Sequence, residues 1–169
     1  MATKIVQTSD FVGKYAVTQN SFNTFDLTDF IEKYELNYLY DLLGVELGGL
    51  MYSGITTPYT PPTSTIYQTI FNPLNLDENQ IRSKGIKEMM LGFIFFEYTR
   101  TQNVVNTGTG NVSAQNEVST IAIWGHTDIY NIYNSSIDTY KAIQKYISYN
   151  ESIYPTFKGI CKEYTSNFV

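Results

Sequence analysis

The sequence predicts an all-α fold: an antiparallel helical bundle of three to four helices with a short β-hairpin or extended loop and an N-terminal arm. Three segments carry apolar residues at steps of three and four, the spacing of one helix face. Proline-rich and glycine-containing polar stretches separate these segments. A chain of 169 residues can bury a sizeable core without disulfides. We therefore expect one domain, with an arm over 1–25 and a helical domain over 26–169.

The N-terminal arm has no sustained periodicity but many apolar side chains. These are Ile5, Val6, Phe11, Tyr15, Val17, Phe22 and Phe25. So many apolar groups favour packing against a protein surface over a solvated tail. That surface is either the arm's own domain or a neighbouring copy of the chain.

The first helix is predicted from its cap and its apolar spacing. Asp26 or Asp29 is a suitable N-cap, and Glu32 stands three residues after Asp29 as in a capping box. Apolar and aromatic residues then recur at helical steps: Phe30, Ile31, Tyr34, Tyr38, Leu39, Leu42 and Leu43. Gly44 predicts a break or kink before a second short helix that ends near Gly54.

A long loop and a second long helix follow. Residues 55–75 hold four of the five prolines, which predicts a loop. The second long helix is predicted to begin at Asp77, with Gln80 at the matching capping-box position. Its later half is apolar on nearly all sides, as expected for the central helix of a bundle. Gly85 and Gly92 lie seven residues apart on one face, where another helix can approach closely.

Residues 101–120 are typical of a β-hairpin or an extended loop, because β-branched pieces flank a glycine-containing turn. An isolated hairpin with so little apolar surface is marginal in water, and pairing with a strand of another copy would order it. We therefore predict a subunit contact at this loop, formed by Val104, Val105, Asn106, Thr107, Gly108, Asn111, Val112 and Asn116. A third helix is predicted over 125–150, followed by a short aromatic tail.

The composition describes a surface poor in charge. Charged residues make up 16% of the chain and aromatic residues 15%, including 15 tyrosines. Such a surface resembles the patches through which proteins contact each other. The codons of an AT-rich genome favour the same abundance of Tyr, Asn, Ile and Phe, which is the alternative explanation. The net charge of -5 argues against a protein whose main role is to bind nucleic-acid phosphates. With no bilayer-length apolar run and no signal-peptide core, we expect a protein made in a cytoplasm without membrane contact.

Candidate catalytic and metal-binding patterns are weak. One thiol, Cys161, and one imidazole, His126, cannot build a zinc or iron-sulfur cluster, and neither has an assigned catalytic partner. The stretch 108–110 lacks the Gly-Lys-Ser/Thr of a phosphate loop. The acidic residues Asp26, Asp29, Glu32, Glu35, Asp77 and Glu78 lie in or beside predicted first turns, where they cap backbone N–H groups. We expect no enzyme activity and no catalytic, cofactor-binding or metal-ligating residue.

The basic residues Arg82, Lys84 and Lys87 cluster near the predicted start of the second long helix, with Arg100 at its end. Three neighbouring cations make only a weak patch. A solvated face is favoured over a track for nucleic-acid phosphates.

The run 30–47, FIEKYELNYLYDLLGVEL, resembles the opening helix of the head-to-tail connector (neck adaptor) proteins of tailed phages. They share its order of helix, Leu-Leu-Gly and short second helix. Later pieces keep that family's order: Phe95-Phe96-Glu97-Tyr98 in a central helix, a loop from Val105 to Ser119, and a long helix ending near Asn150 before Tyr154-Pro155. The resemblance covers about residues 26–157, and the arm and the 55–75 loop depart from the familiar pattern.

The resemblance implies a structural virion protein, one subunit of a ring in the phage neck that commonly holds twelve copies. The implied partners are the portal protein and further neck or tail proteins, while DNA passes through the channel without specific recognition. A negative wall suits such a channel because it repels phosphates. The abundance of Tyr, Asn and Ile is similar to that of phages of gut Bacteroidetes, including crAss-like phages. The alternative function is a monomeric or dimeric binding module that uses exposed tyrosines for peptide or glycan.

Overall fold

The computed structural model describes residues 3–17, 26–76, 80–102, 104–107, 110–113, 123–159 and 162–164. Four helices pack together: α1 (Leu27–Ser53), α2 (Thr65–Phe71), α3 (Ile86–Gln102) and α4 (Ile123–Tyr149). The strands are β1 (Leu74–Leu76), β2 (Ile81–Ser83), β3 (Val104–Thr107) and β4 (Gly110–Ser113). Two 3-10 turns, Thr8–Asp10 and Gly13–Tyr15, precede α1. The predicted helical bundle with a hairpin and an N-terminal arm is confirmed.

Helix α1 begins and breaks where the sequence predicts. Asp26 is the N-cap, and its carboxylate Oδ1 accepts the Thr28 N–H at 2.9 Å. Asp26, rather than Asp29, is therefore the cap. Gly44 has φ 78° and ψ 162°, values outside the helical region, and these interrupt α1 at the predicted break.

The prediction of a helix start at Asp77 is wrong. Residues 74–76 and 81–83 pair instead as the antiparallel strands β1 and β2, and α3 begins at Ile86. Gln80 and Gly85 have φ of 52° and 89°, in the left-handed region that a helix interior excludes. A Cβ on Gly85 would lie 2.6 Å from the Phe71 carbonyl oxygen, so this turn requires glycine. The 55–75 segment is also not wholly a loop, because it contains α2 and the start of β1.

Helix α3 is the central helix of the bundle, as its apolar sequence predicts. It contacts both α1 and α4, and most of its side chains are buried: Met89, Met90, Leu91, Phe93, Ile94, Phe95 and Tyr98. Gly92 allows the close approach of α4. A Cβ at Gly92 would lie 2.0 Å from Ser136 Oγ and 3.3 Å from Ile132 Cγ2. Helix α4 itself ends within one residue of its predicted end.

The N-terminal arm packs on its own domain over residues 3–17. Ile5 and Val6 are fully buried, and Phe11 and Tyr15 are each 6% exposed. The Tyr15 ring meets the Phe95 ring edge to face, with 6.0 Å between centroids. The first of the two alternatives for the arm therefore holds here, while the apolar positions 22 and 25 lie outside the described residues. In the described parts of the chain, no helix combines the length and the apolar character needed to cross a membrane.

Candidate functional site

The predicted contact loop contains an antiparallel hairpin between α3 and α4. Val105 stands opposite Val112 and Asn106 opposite Asn111 in the β3–β4 register. The strands pair with each other and with neither of the other two described strands. Each therefore keeps an outer edge whose backbone groups are not paired by a described strand. Gly108 and Asn116 of the predicted contact lie outside the part of the chain that the structure describes.

A second surface feature is a group of exposed apolar residues on segments that meet. Lys158 Nζ lies 3.3 Å from Glu46 Oε2, and the Tyr154 hydroxyl donates to the Ile66 carbonyl at 2.9 Å. These contacts bring the later part of α1, the start of α2 and the turns after α4 together. Their exposed residues form what we call the apolar end: Val45, Leu50, Ile66, Tyr149 and Ile153.

A cavity of about 390 Å³ lies between α1, α3, α4 and residues 162–164. We call it the tyrosine cavity, because five of its nine lining residues are tyrosines. The lining residues are Tyr34, Asn37, Tyr38, Tyr40, Asp41, Glu97, Tyr133, Lys162 and Tyr164.

Asp41 holds one side of the tyrosine cavity together. Its carboxylate Oδ2 accepts the Lys162 ammonium at 2.9 Å and the Tyr164 hydroxyl at 2.6 Å. The Tyr140 hydroxyl lies 2.5 Å from the Asp41 carbonyl oxygen and 2.7 Å from the Lys162 carbonyl oxygen. Its single proton serves one of them at a time. These bonds tie the C-terminal segment to α1 and α4.

Glu97 forms the other polar group of the cavity. Its carboxylate accepts hydrogen bonds from Arg100 at 2.7 Å, Tyr38 at 3.2 Å and Tyr34 at 3.4 Å. Two helices thus supply donors to one acidic side chain that is only 13% exposed. The two carboxylates of the cavity, Glu97 and Asp41, come from different helices, α3 and α1.

Two of the cavity's tyrosine hydroxyls, those of Tyr38 and Tyr164, stay protonated. Tyr38 stacks on Phe93 with 4.5 Å between centroids and 12° between planes. Burial raises the pKa of Tyr38 far above its ordinary value, and the charge and hydrogen bond of Glu97 add to the effect. Burial raises the pKa of Tyr164 in the same way, supported by its hydrogen bond to Asp41. Both tyrosines therefore remain neutral hydrogen-bond donors at physiological pH.

Glu35 has a role that its place in the sequence does not reveal. The expectation that it serves the first turn of α1 is wrong, because its side chain is fully buried under the arm. Its two carboxylate oxygens accept the backbone N–H groups of residues 4, 5 and 6 at 2.8, 3.0 and 2.8 Å. The Tyr52 hydroxyl donates to Glu35 Oε1 at 3.1 Å. One carboxylate thus satisfies three backbone donors of the arm.

The basic residues near α3 act mainly within the fold. Lys87 Nζ lies 2.9 Å from Asp10 Oδ2 and so ties the arm to α3. Lys84 Nζ lies 2.6 Å from Ser135 Oγ of α4. Arg82 lies in β2, not on a helix, and its side chain is exposed. The predicted patch of cations on one helix therefore does not form. Arg82 lies in β2, Lys84 contacts α4, and Lys87 pairs with the arm.

The remaining chemical candidates fall outside the described side chains. His126 lies in the first turn of α4, but its side chain is outside the described residues, as is the whole of Cys161. Among the residues that the structure does describe, no three His, Cys, Asp or Glu side chains are placed to hold a metal ion.

Comparison of the chain with protein-family models, with curated proteins and with solved structures finds no match.

Proposed function

We propose that this chain is a structural subunit that assembles with copies of itself into a ring in the neck of a tailed phage. There it joins the portal to the tail and extends the DNA channel. The observation that carries the proposal is the β3–β4 hairpin, a two-stranded ladder that lies between α3 and α4 in the chain.

The hairpin is suited to exchange between neighbours. Two strands of four residues each are marginal on their own in water. A third strand from a neighbouring copy would pair with an outer edge and extend the ladder. Such a contact joins different surfaces of two copies, and contacts of this heterologous kind close into a ring when the rotation between copies fits.

The surface composition supports assembly. Val45 and Tyr149 are 71% and 60% exposed, and they belong to the apolar end. Only 16% of the residues are charged, so the surface lacks the many charged side chains that keep exposed apolar groups of a free monomer from associating. A net charge of -5 suits a channel through which DNA must slide, because it disfavours lasting phosphate contacts.

Solution mass tests this proposal. The purified chain is measured by light scattering over increasing concentration, alone and with the portal protein of the same phage. We expect multimers in at least the portal mixture, and their loss when residues 104–113 are replaced by a Gly-Ser linker of equal length. Lys141→Gln, at an exposed position of α4 outside the hairpin and the apolar end, is the control and keeps the assembly. A compact monomer in every mixture contradicts the proposal.

The second candidate is a monomeric or dimeric module that binds peptide or glycan. The exposed rings of Tyr59 and Tyr149 favour it, because tyrosine is enriched in binding surfaces. A monomer that binds immobilised peptides or glycans, and that loses binding when these two tyrosines become serine, would support this module over the ring.

A further inference from the structure

We propose that the tyrosine cavity is a binding site for an organic cation, a guanidinium or alkylammonium group. The cation is supplied either by a basic side chain of a partner protein or by a free amine. This inference is independent of ring assembly, since the cavity is complete within one chain.

The carboxylate oxygens and the aromatic rings of the cavity favour a cation. Its lining contains two carboxylates, Asp41 and Glu97, and one ammonium, Lys162. The Arg100 guanidinium, which is not part of the lining, balances the charge of Glu97. The side chains of Asp41 and Glu97 are 29% and 13% exposed, so their charges are screened less than those of fully exposed groups. The faces of tyrosine rings also carry negative electrostatic potential. An anion would be repelled by both carboxylates and by the ring faces.

The chain's own cations show which chemistry the cavity accepts. Lys162 Nζ lies 2.9 Å from Asp41 Oδ2 and 4.8 Å from the centroid of the Tyr164 ring. Arg100 lies 2.7 Å from Glu97 Oε2, and its guanidinium carbon lies 5.8 Å from the Phe96 ring centroid. Each carboxylate of the cavity therefore already holds a cation beside an aromatic ring, which is the arrangement that recognises ammonium and guanidinium groups.

The described residues leave acceptor capacity on Asp41 for a further donor. Both donors to the Asp41 carboxylate, Lys162 and Tyr164, bond to Oδ2, and no described residue donates to Oδ1. The Lys162 side chain is 52% exposed, so an incoming cation can displace it into water at modest cost. The volume of about 390 Å³ lies within the range of small-ligand pockets and suits one side-chain-sized group.

Titration of the full chain, followed by NMR, tests the site with three probes. They are the capped peptide acetyl-Gly-Arg-Gly-amide, the same peptide with neutral citrulline in place of arginine, and the free diamine putrescine. We expect at least one cation to bind in the millimolar range, as its small size dictates, and the citrulline peptide to bind about tenfold more weakly or not at all. Tighter binding of the peptide identifies a partner side chain as the source of the cation, and tighter binding of putrescine identifies a free amine.

Three variants locate the binding. Asp41→Asn weakens cation binding about tenfold, because a charged acceptor is lost. Lys162→Gln strengthens it several-fold, because the internal competitor is removed. Glu46→Gln, which removes an exposed carboxylate of the same helix, leaves binding unchanged. If Asp41→Asn fails to fold, Lys162→Gln still decides the question. Equal binding of the citrulline peptide, no binding of either cation, or weaker binding by Lys162→Gln would overturn the proposal.

Discussion

At the scale of single residues, the Glu35 carboxylate shows how one buried charge positions a distant segment. It is fully buried and accepts hydrogen bonds from three consecutive N–H groups of the arm and from Tyr52. A buried carboxylate persists only when hydrogen bonds replace its lost hydration. The buried N–H groups of Ile5 and Val6 have the same need. Each side of this contact therefore depends on the other.

Replacing Glu35 should release the arm. Glu35→Gln puts an amide group where three N–H donors point, so at most one of its two polar atoms can accept their hydrogen bonds. We expect a loss of about 2–4 kcal/mol in the free energy of unfolding, measured with urea, and faster cleavage by trypsin after Lys4 and Lys14. Glu46→Gln, at an exposed and weakly paired position, should change stability by less than about 0.5 kcal/mol. An unchanged urea midpoint for Glu35→Gln would show that the arm is held without this carboxylate.

Residues whose role is local are predictable from sequence, and residues whose partners lie far away are not. Asp26 caps an N–H group two positions later, so its neighbours suffice to predict it. The partners of Glu35 lie 29 to 31 positions earlier, in an arm without periodicity. The tyrosine cavity likewise joins residues of three helices and the C-terminal segment. The composition shows many tyrosines but not which of them meet.

At the scale of elements, the crossing of α3 and α4 depends on the missing side chain of Gly92. Ser136 of α4 fills the space where a Cβ would be, and its own hydroxyl donates to the Ile132 carbonyl at 3.1 Å. Glycine destabilises an isolated helix, so the presence of glycine at position 92 is explained by the packing of α3 against α4.

Two glycine substitutions should change stability in opposite directions. Gly92→Ala forces α3 and α4 apart, and we expect a loss of about 1–3 kcal/mol in the free energy of unfolding. Ser136→Ala in the same chain should recover part of this loss, because it removes the closest atom. Gly49→Ala, where no atom lies within 4 Å of the added Cβ, should gain about 0.5–1 kcal/mol. Thermal unfolding measures all three, and a stabilising Gly92→Ala would refute the packing explanation.

The sequence predicts the long helices but misses α2 and the β1–β2 strands, and the error over the strands has a physical cause. The break at Gly44 and the long helix near 125–150 follow from glycine and from apolar spacing alone. Residues 77–80 satisfy the pattern of a helix cap, yet Gln80 has positive φ and the strands on either side pair with each other. A capping pattern records which hydrogen bonds are possible, whereas the β1–β2 pairing depends on packing of β2 against α4.

At the scale of the whole molecule, protonated tyrosines join the parts of the fold. Tyr15 lies in the arm, Tyr38 in α1 and Tyr154 after α4, and each is at most 6% exposed. Burial raises the pKa of Tyr15 to about 12, and it raises those of Tyr38 and Tyr154 further above their ordinary value. The fold therefore favours the neutral hydroxyl at all three places.

This predicts steep alkaline unfolding. The stabilisation is fully present below pH 10, where the tyrosines of the unfolded chain are protonated, and it is lost progressively as the pH rises towards and beyond 12. Urea midpoints measured from pH 8 to pH 12 should be nearly constant at first and then fall steeply above pH 10. Ultraviolet absorbance of tyrosinate should rise together with unfolding. Full tyrosine ionisation in a chain that stays folded would contradict the burial described above.

Electron microscopy at a resolution that shows side chains tests the proposed assembly into a closed ring through the hairpin most sharply. The sample is the chain mixed with a portal protein encoded by the same genome. We expect a ring in which an outer edge of β3 or β4 pairs with a strand of the neighbouring copy. Single copies bound to the portal, or a ring whose neighbours leave both hairpin edges unpaired, would contradict it.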